Sequence, residues 1–215
     1  MKVLVIGAHG KVGQRVMKAM QADNRYEPVA FVRKQEQVDE YKDLGMNGRL
    51  GNLFGTVDEI KETMDGVDAV VFSAGAGGSS DANTILVDLD GAVKTMEAAE
   101  QLGIHRFIMV SAYGAGERER WSKSIIPYYA TKMYADRELM RTDLDYTILR
   151  PGHLGDDEGT GKIQLVTSET GEPDDYTTQR DDVCETILTV LPKKSTYRQV
   201  YEFVSGETPI TDVFE

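Results

Sequence analysis

Seven residues near the start of the chain restrict what it can fold into more than any other feature. Gly7-Ala8-His9-Gly10-Lys11-Val12-Gly13 follows directly on the apolar run Val3 to Ile6 and leads into a stretch with helical spacing, marked by Val12, Val16, Met17 and Met20. Three glycines at intervals of three, wedged between a strand and a helix, have separate tasks. The first permits a tight turn, the second lets backbone come close to a pyrophosphate, and the third lets helix and strand pack together. The helix that opens there presents unpaired N–H groups and the positive end of its dipole. With 21 glycines in 215 residues the spacing alone is weak; the strand before it and the helix after it give it meaning.

The same rhythm continues along the chain. Runs rich in Val, Ile and Phe recur at Val29 to Val32, Ala69 to Phe72, Arg106 to Val110 and Tyr146 to Leu149, with a weaker one at Asn47 to Gly51. Apolar on both sides of the alternation, they read as strands buried on two faces. Helical periodicity separates them, clearest over Ala82 to Leu102 with Ile85, Leu89, Val93, Met96 and Ala99. This order predicts an α/β fold: a doubly wound parallel sheet, or Rossmann fold, with helices on both faces and residues 1–215 as one unit. Right-handed crossovers bring the strand carboxyl ends to one edge, where a ligand is expected. Two segments break the rhythm, the polar insertion Gly114 to Ile126 and the Gly-, Asp- and Thr-rich stretch Pro151 to Asp182. Both follow strand ends, so 114–126 and 151–182 are expected to cover the ligand edge. A helix from Asp181 to Leu191 and a strand at Gln199 to Val204 complete the expectation.

Composition removes several function classes. Thirty-six acidic against 24 basic side chains leave a net charge of −12, which repels phosphate backbones and anionic lipid heads. Cys184 is the sole cysteine, so neither an internal disulfide nor a zinc site built on clustered cysteines is expected. The run after Met1 is too short for a signal peptide, and no apolar run nears the roughly 18 residues of a membrane span. The acidic pieces Asp156-Asp157-Glu158 and Asp174-Asp175 lack the ordered spacing of a cation loop and read as solvated, so no metal is expected. The expectation is a cytoplasmic protein that binds a small-molecule substrate as a monomer or homodimer, without nucleic-acid or membrane partners.

Candidate chemistry sits at the ends of the runs. The second run ends in Arg33-Lys34 rather than an acid, which favours NADP over NAD, because a guanidinium accommodates a 2′-phosphate where an acid would bond the 2′-hydroxyl. A solvated helix start explains the same pair. Within the glycine turn, His9, Lys11 and Val12 join Gly7, Gly10 and Gly13 as cofactor-binding candidates. Asn52 and Leu53 after the third run, Ser73, Ala74 and Gly75 after the fourth, and Pro151 and Gly152 after the sixth complete the set. Ser111, at the end of the fifth run, is placed to hold a substrate carbonyl. Tyr128 and Lys132 stand four apart and share a helix face. A nearby ammonium stabilises tyrosinate, so the phenol could exchange a proton with substrate, and Lys132 could also bond the nicotinamide ribose. His153 is either a proton donor or an ordinary loop residue.

Taken together, Gly7-x-x-Gly10-x-x-Gly13, the Arg33 ending, Ser111, Tyr128-x-x-x-Lys132 and Leu144-Asp145-Tyr146-Thr147-Ile148-Leu149-Arg150-Pro151-Gly152 resemble the atypical or extended branch of the short-chain dehydrogenase/reductase superfamily. The resemblance covers nearly the whole chain. It points to the compact, epimerase/dehydratase-like NAD(P)-binding subgroup, which includes proteins similar to biliverdin reductase B, a flavin reductase, and to nitrogen-repression regulators. It implies a Rossmann fold, bound NADP(H) and a Ser111, Tyr128 and Lys132 triad. Only 65 residues follow Arg150, against a larger C-terminal domain in the sugar epimerases of the branch, so a nucleotide-sugar substrate is not expected. In the flavin reductase relatives a serine and a histidine line the site without an active Tyr-Lys pair, and Ser111 and His153 match them. Three readings follow. The first is an NADP(H)-dependent oxidoreductase acting on a small carbonyl. The second is a flavin or quinone reductase with no essential tyrosine. The third is a non-catalytic NADP(H) sensor, with Glu117-Arg118-Glu119-Arg120 as a partner surface.

Overall fold

A nine-stranded sheet runs through the computed structural model, which describes residues 1–167, 170, 171, 173 and 175–214. Its strands are β1 (Lys2–Ile6), β2 (Glu27–Val32), β3 (Asn47–Leu50), β4 (Ala69–Phe72), β5 (Arg106–Val110), β6 (Asp145–Pro151), β8 (Lys162–Leu165), β10 (Gln199–Ser205) and β11 (Thr208–Pro209). A separate pair joins β7 (His153–Gly155) to β9 (Thr177–Gln179). The large sheet has the order β11-β8-β10-β6-β5-β4-β1-β2-β3. Seven neighbours from β10 to β3 are parallel, and β8 and β11 add an antiparallel margin.

Strand alternation sends side chains to two cores. Val3 and Val5 face a layer with Val16, Met17 and Met20 of α1 (Lys11–Gln21) and Val183, Ile187 and Val190 of α7 (Arg180–Val190). Leu4 and Ile6 face the other layer, with Ile60 of α3 (Val57–Glu62), Met96 and Ala99 of α5 (Gly91–Leu102) and Leu139 of α6 (Ile126–Arg141). Burial on both faces explains the uninterrupted apolar runs. The chain winds from β1 outward to β3, then returns to β4 and continues the other way. The direction therefore reverses between β1 and β4, whose carboxyl ends frame the crevice where such folds bind ligands.

Two segments differ from the sequence expectation. Ala82 to Leu102 is not one regular α-helix: α4 (Asp81–Thr84) passes through a π-helical stretch, Ile85–Asp90, before α5 begins. Apolar spacing does not reveal the wider turn. Residues 151–182 hold β7, β8 and β9, and β8 pairs antiparallel with β10, with Val204 opposite Gln164. The short strands escape a periodicity reading because Gly, Asp and Thr interrupt them. Asp174 lies outside the described residues. Among those described, no helix is long and apolar enough to cross a membrane.

Candidate active site

The glycine turn is built as close contact requires. Gly7 has φ +85°, and a Cβ there would sit 2.6 Å from the Ala74 amide nitrogen, so the loops after β1 and β4 touch at the switch point. A Cβ on Gly13 would lie 2.2 Å from the Gly7 carbonyl oxygen. Gly10 is exposed, meets only the Gly7 carbonyl, and caps α1 without a side-chain acceptor. No acidic residue stands in the first turn of α1, so its leading amides face the edge free for an anion. This cradle, shaped by glycines whose side chains would fill it, fits a dinucleotide pyrophosphate. Tyr41, from α2 (Gln35–Asp43), donates its hydroxyl to the Ala8 carbonyl at 2.7 Å and braces the turn from below; burial pushes its phenol up to about 12.

The other cofactor candidates divide by what their side chains do. Arg33 and Lys34 are exposed at the end of β2, with no side-chain hydrogen bond or ion pair among the described residues. Lys11 pairs with Asp156 at 2.5 Å, and Asp156 also takes Arg180 at 2.7 Å; together they hold that carboxyl below the usual range. His9 is exposed, 3.7 Å from Glu40. Val12 and Leu53 belong to the two cores, so only their backbones reach the edge. Asn52 accepts the Phe54 amide at 3.0 Å, the bond of an ordinary turn. Ser73 Oγ donates to the Ile6 carbonyl and ties β4 to β1. Ala74 is half-buried, and Gly75 is exposed with Asp88 behind it. Pro151 and Gly152 are buried; a Cβ on Gly152 would fall 1.9 Å from the Tyr176 carbonyl oxygen, so glycine is required there by packing.

Ser111, Tyr128 and Lys132 converge around the carboxyl end of β5. Lys132 Nζ lies 3.5 Å from the Val110 carbonyl and 5.7 Å from the centre of the Tyr128 ring. Its principal partner is unforeseen: Asp88, on the π-helical stretch, meets Lys132 Nζ at 3.0 Å, with both side chains buried. The other Asp88 oxygen accepts the Ala76 amide at 2.8 Å, so one carboxylate joins the loop after β4 to the α6 lysine. Burial alone would push the Lys132 ammonium down, but the Asp88 carboxylate, with Tyr128 and Asp136, outweighs it and holds the group above the ordinary lysine value. His153 is exposed on β7.

Behind Ser111 lies a second buried pair. Asp136 Oδ2 accepts Arg150 Nε at 2.9 Å, and Arg150 in turn stands 3.9 Å from Glu202 of β10. Glu202 anchors the 114–126 segment by accepting Arg120 at 2.6 Å and the Gly114 amide at 3.1 Å. Arg120 also bonds the Tyr113 hydroxyl. Trp121 stacks on Tyr129 at 6.0 Å and Tyr113 packs edge-on against Tyr176 at 5.1 Å, which gives this side of the edge an aromatic lining. Of the polar members, Asp136 had a signal available: Tyr128, Lys132 and Asp136 stand at successive intervals of four and share one helix face. Asp88 had only its place as an acid within an apolar helical run. Tyr41 and Glu202 had none.

Comparison with known proteins agrees with this geometry. Residues 7–194 match a family model described as NAD(P)H-binding. The uncharacterized sugar epimerase YhfK of Bacillus subtilis is 42% identical over all of this chain and 99% of its own length. Among solved structures, a Bacillus halodurans protein provisionally described as an NAD-dependent epimerase/dehydratase superposes with a TM-score of 0.91 at 38% identity, covering all of this chain and 98% of that one. The oxidoreductase ylbE of Lactococcus lactis gives 0.88 at 32% identity, covering all of this chain and 95% of its own.

Proposed function

The chain belongs to the NAD(P)H-binding family, and from that premise we propose that it is an NADP(H)-dependent oxidoreductase that reduces a small carbonyl substrate at the carboxyl edge of the sheet. A bound nicotinamide dinucleotide supplies the hydride. Everything else is the work of the chain's own residues. Gly7, Gly10, Gly13 and the leading amides of α1 hold the pyrophosphate, and Arg33 with Lys34 takes the 2′-phosphate. Ser111 and Tyr128 flank the position of the carbonyl oxygen, while segments 114–126 and 151–182 cover the substrate and exclude water, which strengthens each polar contact inside. The observation that carries this reading is the gathering of Ser111, Tyr128 and Lys132 at the end of β5, on the edge where the glycine cradle opens.

Asp88 holds Lys132 Nζ at 3.0 Å, so Tyr128 serves the carbonyl oxygen as a hydrogen-bond donor and its removal should weaken turnover without abolishing it. The test is NADPH oxidation, followed by absorbance, against aldehydes, ketones, quinones and free flavins, with Tyr128→Phe and Ser111→Ala alongside. Carbonyl turnover that falls in both variants supports the proposal. Turnover of flavins or quinones alone, unchanged in Tyr128→Phe, favours a reductase without a phenol. The 42% identity to a protein described as a sugar epimerase supports a second reading, in which a sugar carbon is oxidised and reduced again. Sugar interconversion without net NADPH consumption would identify it. Tight NADPH binding with no turnover of either kind would leave the sensor.

A further inference from the structure

Segment 114–126 has little regular structure to fix its place. Between β5 and α6 the chain makes only two short 3-10 turns, Arg118–Arg120 and Lys123–Ile125, and from Gly114 to Ile125 its backbone–backbone bonds among the described residues are local. What reaches it from the sheet is Glu202 of β10. One carboxylate oxygen accepts Arg120 Nη1 at 2.6 Å, and the other accepts the Gly114 amide at 3.1 Å. The Glu202 carbonyl accepts the Val166 amide at 2.7 Å, just past β8, so the two segments expected to cover substrate meet at one residue. Glu202 lies opposite Arg150 in the parallel register of β10 and β6, with Arg150 Nη1 3.9 Å from its carboxylate. Arg150 Nε donates to Asp136 at 2.9 Å, one helical turn beyond Lys132 on α6. A Cβ on Gly116 would fall 2.5 Å from Arg150 Nη1, so the segment rests against that guanidinium. Four mostly buried charges of alternating sign therefore run from the helix that carries Tyr128 and Lys132 to segment 114–126, where attraction is screened less than at a surface.

Resting on the carbonyl reading, we propose that Glu202 is a positioning residue for substrate: it holds segment 114–126 over the carboxyl edge in register with α6, and so sets how tightly the carbonyl compound is bound. It touches neither substrate nor cofactor and acts through Arg120 and the Gly114 amide. Its two oxygens serve two donors on the segment, a task that one glutamine oxygen cannot perform for both. A segment released from this anchor samples more positions, and binding must then order it again, which weakens substrate in the ground state and the transition state alike. The glycine cradle lies at the β1 and β4 ends and does not depend on this anchor.

The test compares wild type, Glu202→Gln, Arg120→Met and the double variant. Each single change should raise KM for the carbonyl substrate about tenfold, with kcat and the NADPH dissociation constant within about twofold of wild type. The double variant should stay near the single ones rather than multiply to about 100-fold, because both changes break one anchor. Independently of turnover, hydrogen exchange in the free Glu202→Gln protein should speed up at amides 114–121, while amides 200–203 in the ladder with β6 keep their rates and show the sheet intact. Unchanged exchange at 114–121 overturns the anchor. Faster exchange with an unchanged KM overturns the positioning role, and an equal loss of NADPH affinity reduces Glu202 to general support of the fold. If wild type reduces only flavins or quinones, the carbonyl reading fails by itself and KM for that acceptor decides on Glu202 in the same way; no turnover of any acceptor overturns the positioning role, whatever the exchange shows.

Discussion

Arg106 and Lys132 are buried cations at opposite ends of the same strand, and the protein treats them differently. Arg106 opens β5. Its guanidinium donates to the carbonyls of Val190 and Leu191 at the end of α7, to the Asp145 carbonyl and to Thr196 Oγ1, and it packs 4.5 Å over the Tyr197 ring. It has no carboxylate partner among the described residues, and burial brings its pKa down to about 10. Peptide dipoles at a helix C-terminus do the work of a counter-ion, and no acceptor around it points to open space. Lys132, at the other end, is neutralised by the full charge of Asp88, beside the unbonded oxygens of Ser111 and Asp136. One edge of the sheet is closed by its own hydrogen bonds; the other keeps capacity unspent, as a site for chemistry must.

The largest effect should come from breaking the charged pair. Asp88→Ala strands a buried ammonium and frees the Ala76 amide, and should cost about 3–5 kcal/mol in urea unfolding together with at least tenfold in NADPH affinity. Arg106→Met should cost about 3 kcal/mol by leaving several buried carbonyls unpaired, yet move NADPH affinity less than twofold. Equal losses of affinity in the two variants would erase the contrast between the edges.

Alkaline pH should separate the two cations by sign. Lys132 is held above its ordinary value, so its contribution to folding is complete below the unfolded lysine pKa and is lost as pH rises through the folded one. Arg106 is held below its ordinary value, so the folded state sheds that proton more readily and gains relative stability as pH climbs past about 10. Urea midpoints measured from pH 8 to 11 should therefore show the gap between wild type and Asp88→Ala narrowing, and the gap for Arg106→Met widening. The smallest effect is on cofactor choice. Arg33→Asp should shift the NADPH-to-NADH ratio of dissociation constants about tenfold toward NADH, near 1.4 kcal/mol, without changing stability; an unchanged ratio removes Arg33 from the 2′-phosphate.

The closed edge and the open edge were unequally legible in the sequence. The strands are written in two-sided apolar runs, and β4 and β5 lie where Ala69 to Phe72 and Arg106 to Val110 placed them. The glycine turn was legible because its three constraints are local: a positive φ and two close backbone approaches. Asp88 was not, because its partner is 44 residues away and the π-helical turn that carries it has no apolar signature. The support of Glu202 for segment 114–126 depends on β10 folding back beside β6, a pairing that only the assembled sheet defines. Arg106 reads as one polar residue opening a strand, and its acceptors come from the far end of α7.

Backbone hydrogen exchange with and without NADPH tests the central claim, that ligand chemistry belongs to the carboxyl edge alone. NADPH should protect amides in 7–13, 73–76 and 111–113 and in the 151–156 segment, while amides around Arg106 and 190–197 keep their rates. Protection centred on the amino edge, or along the groove lined by Ala19, Cys184 and Leu188 between α1 and α7, would contradict the account.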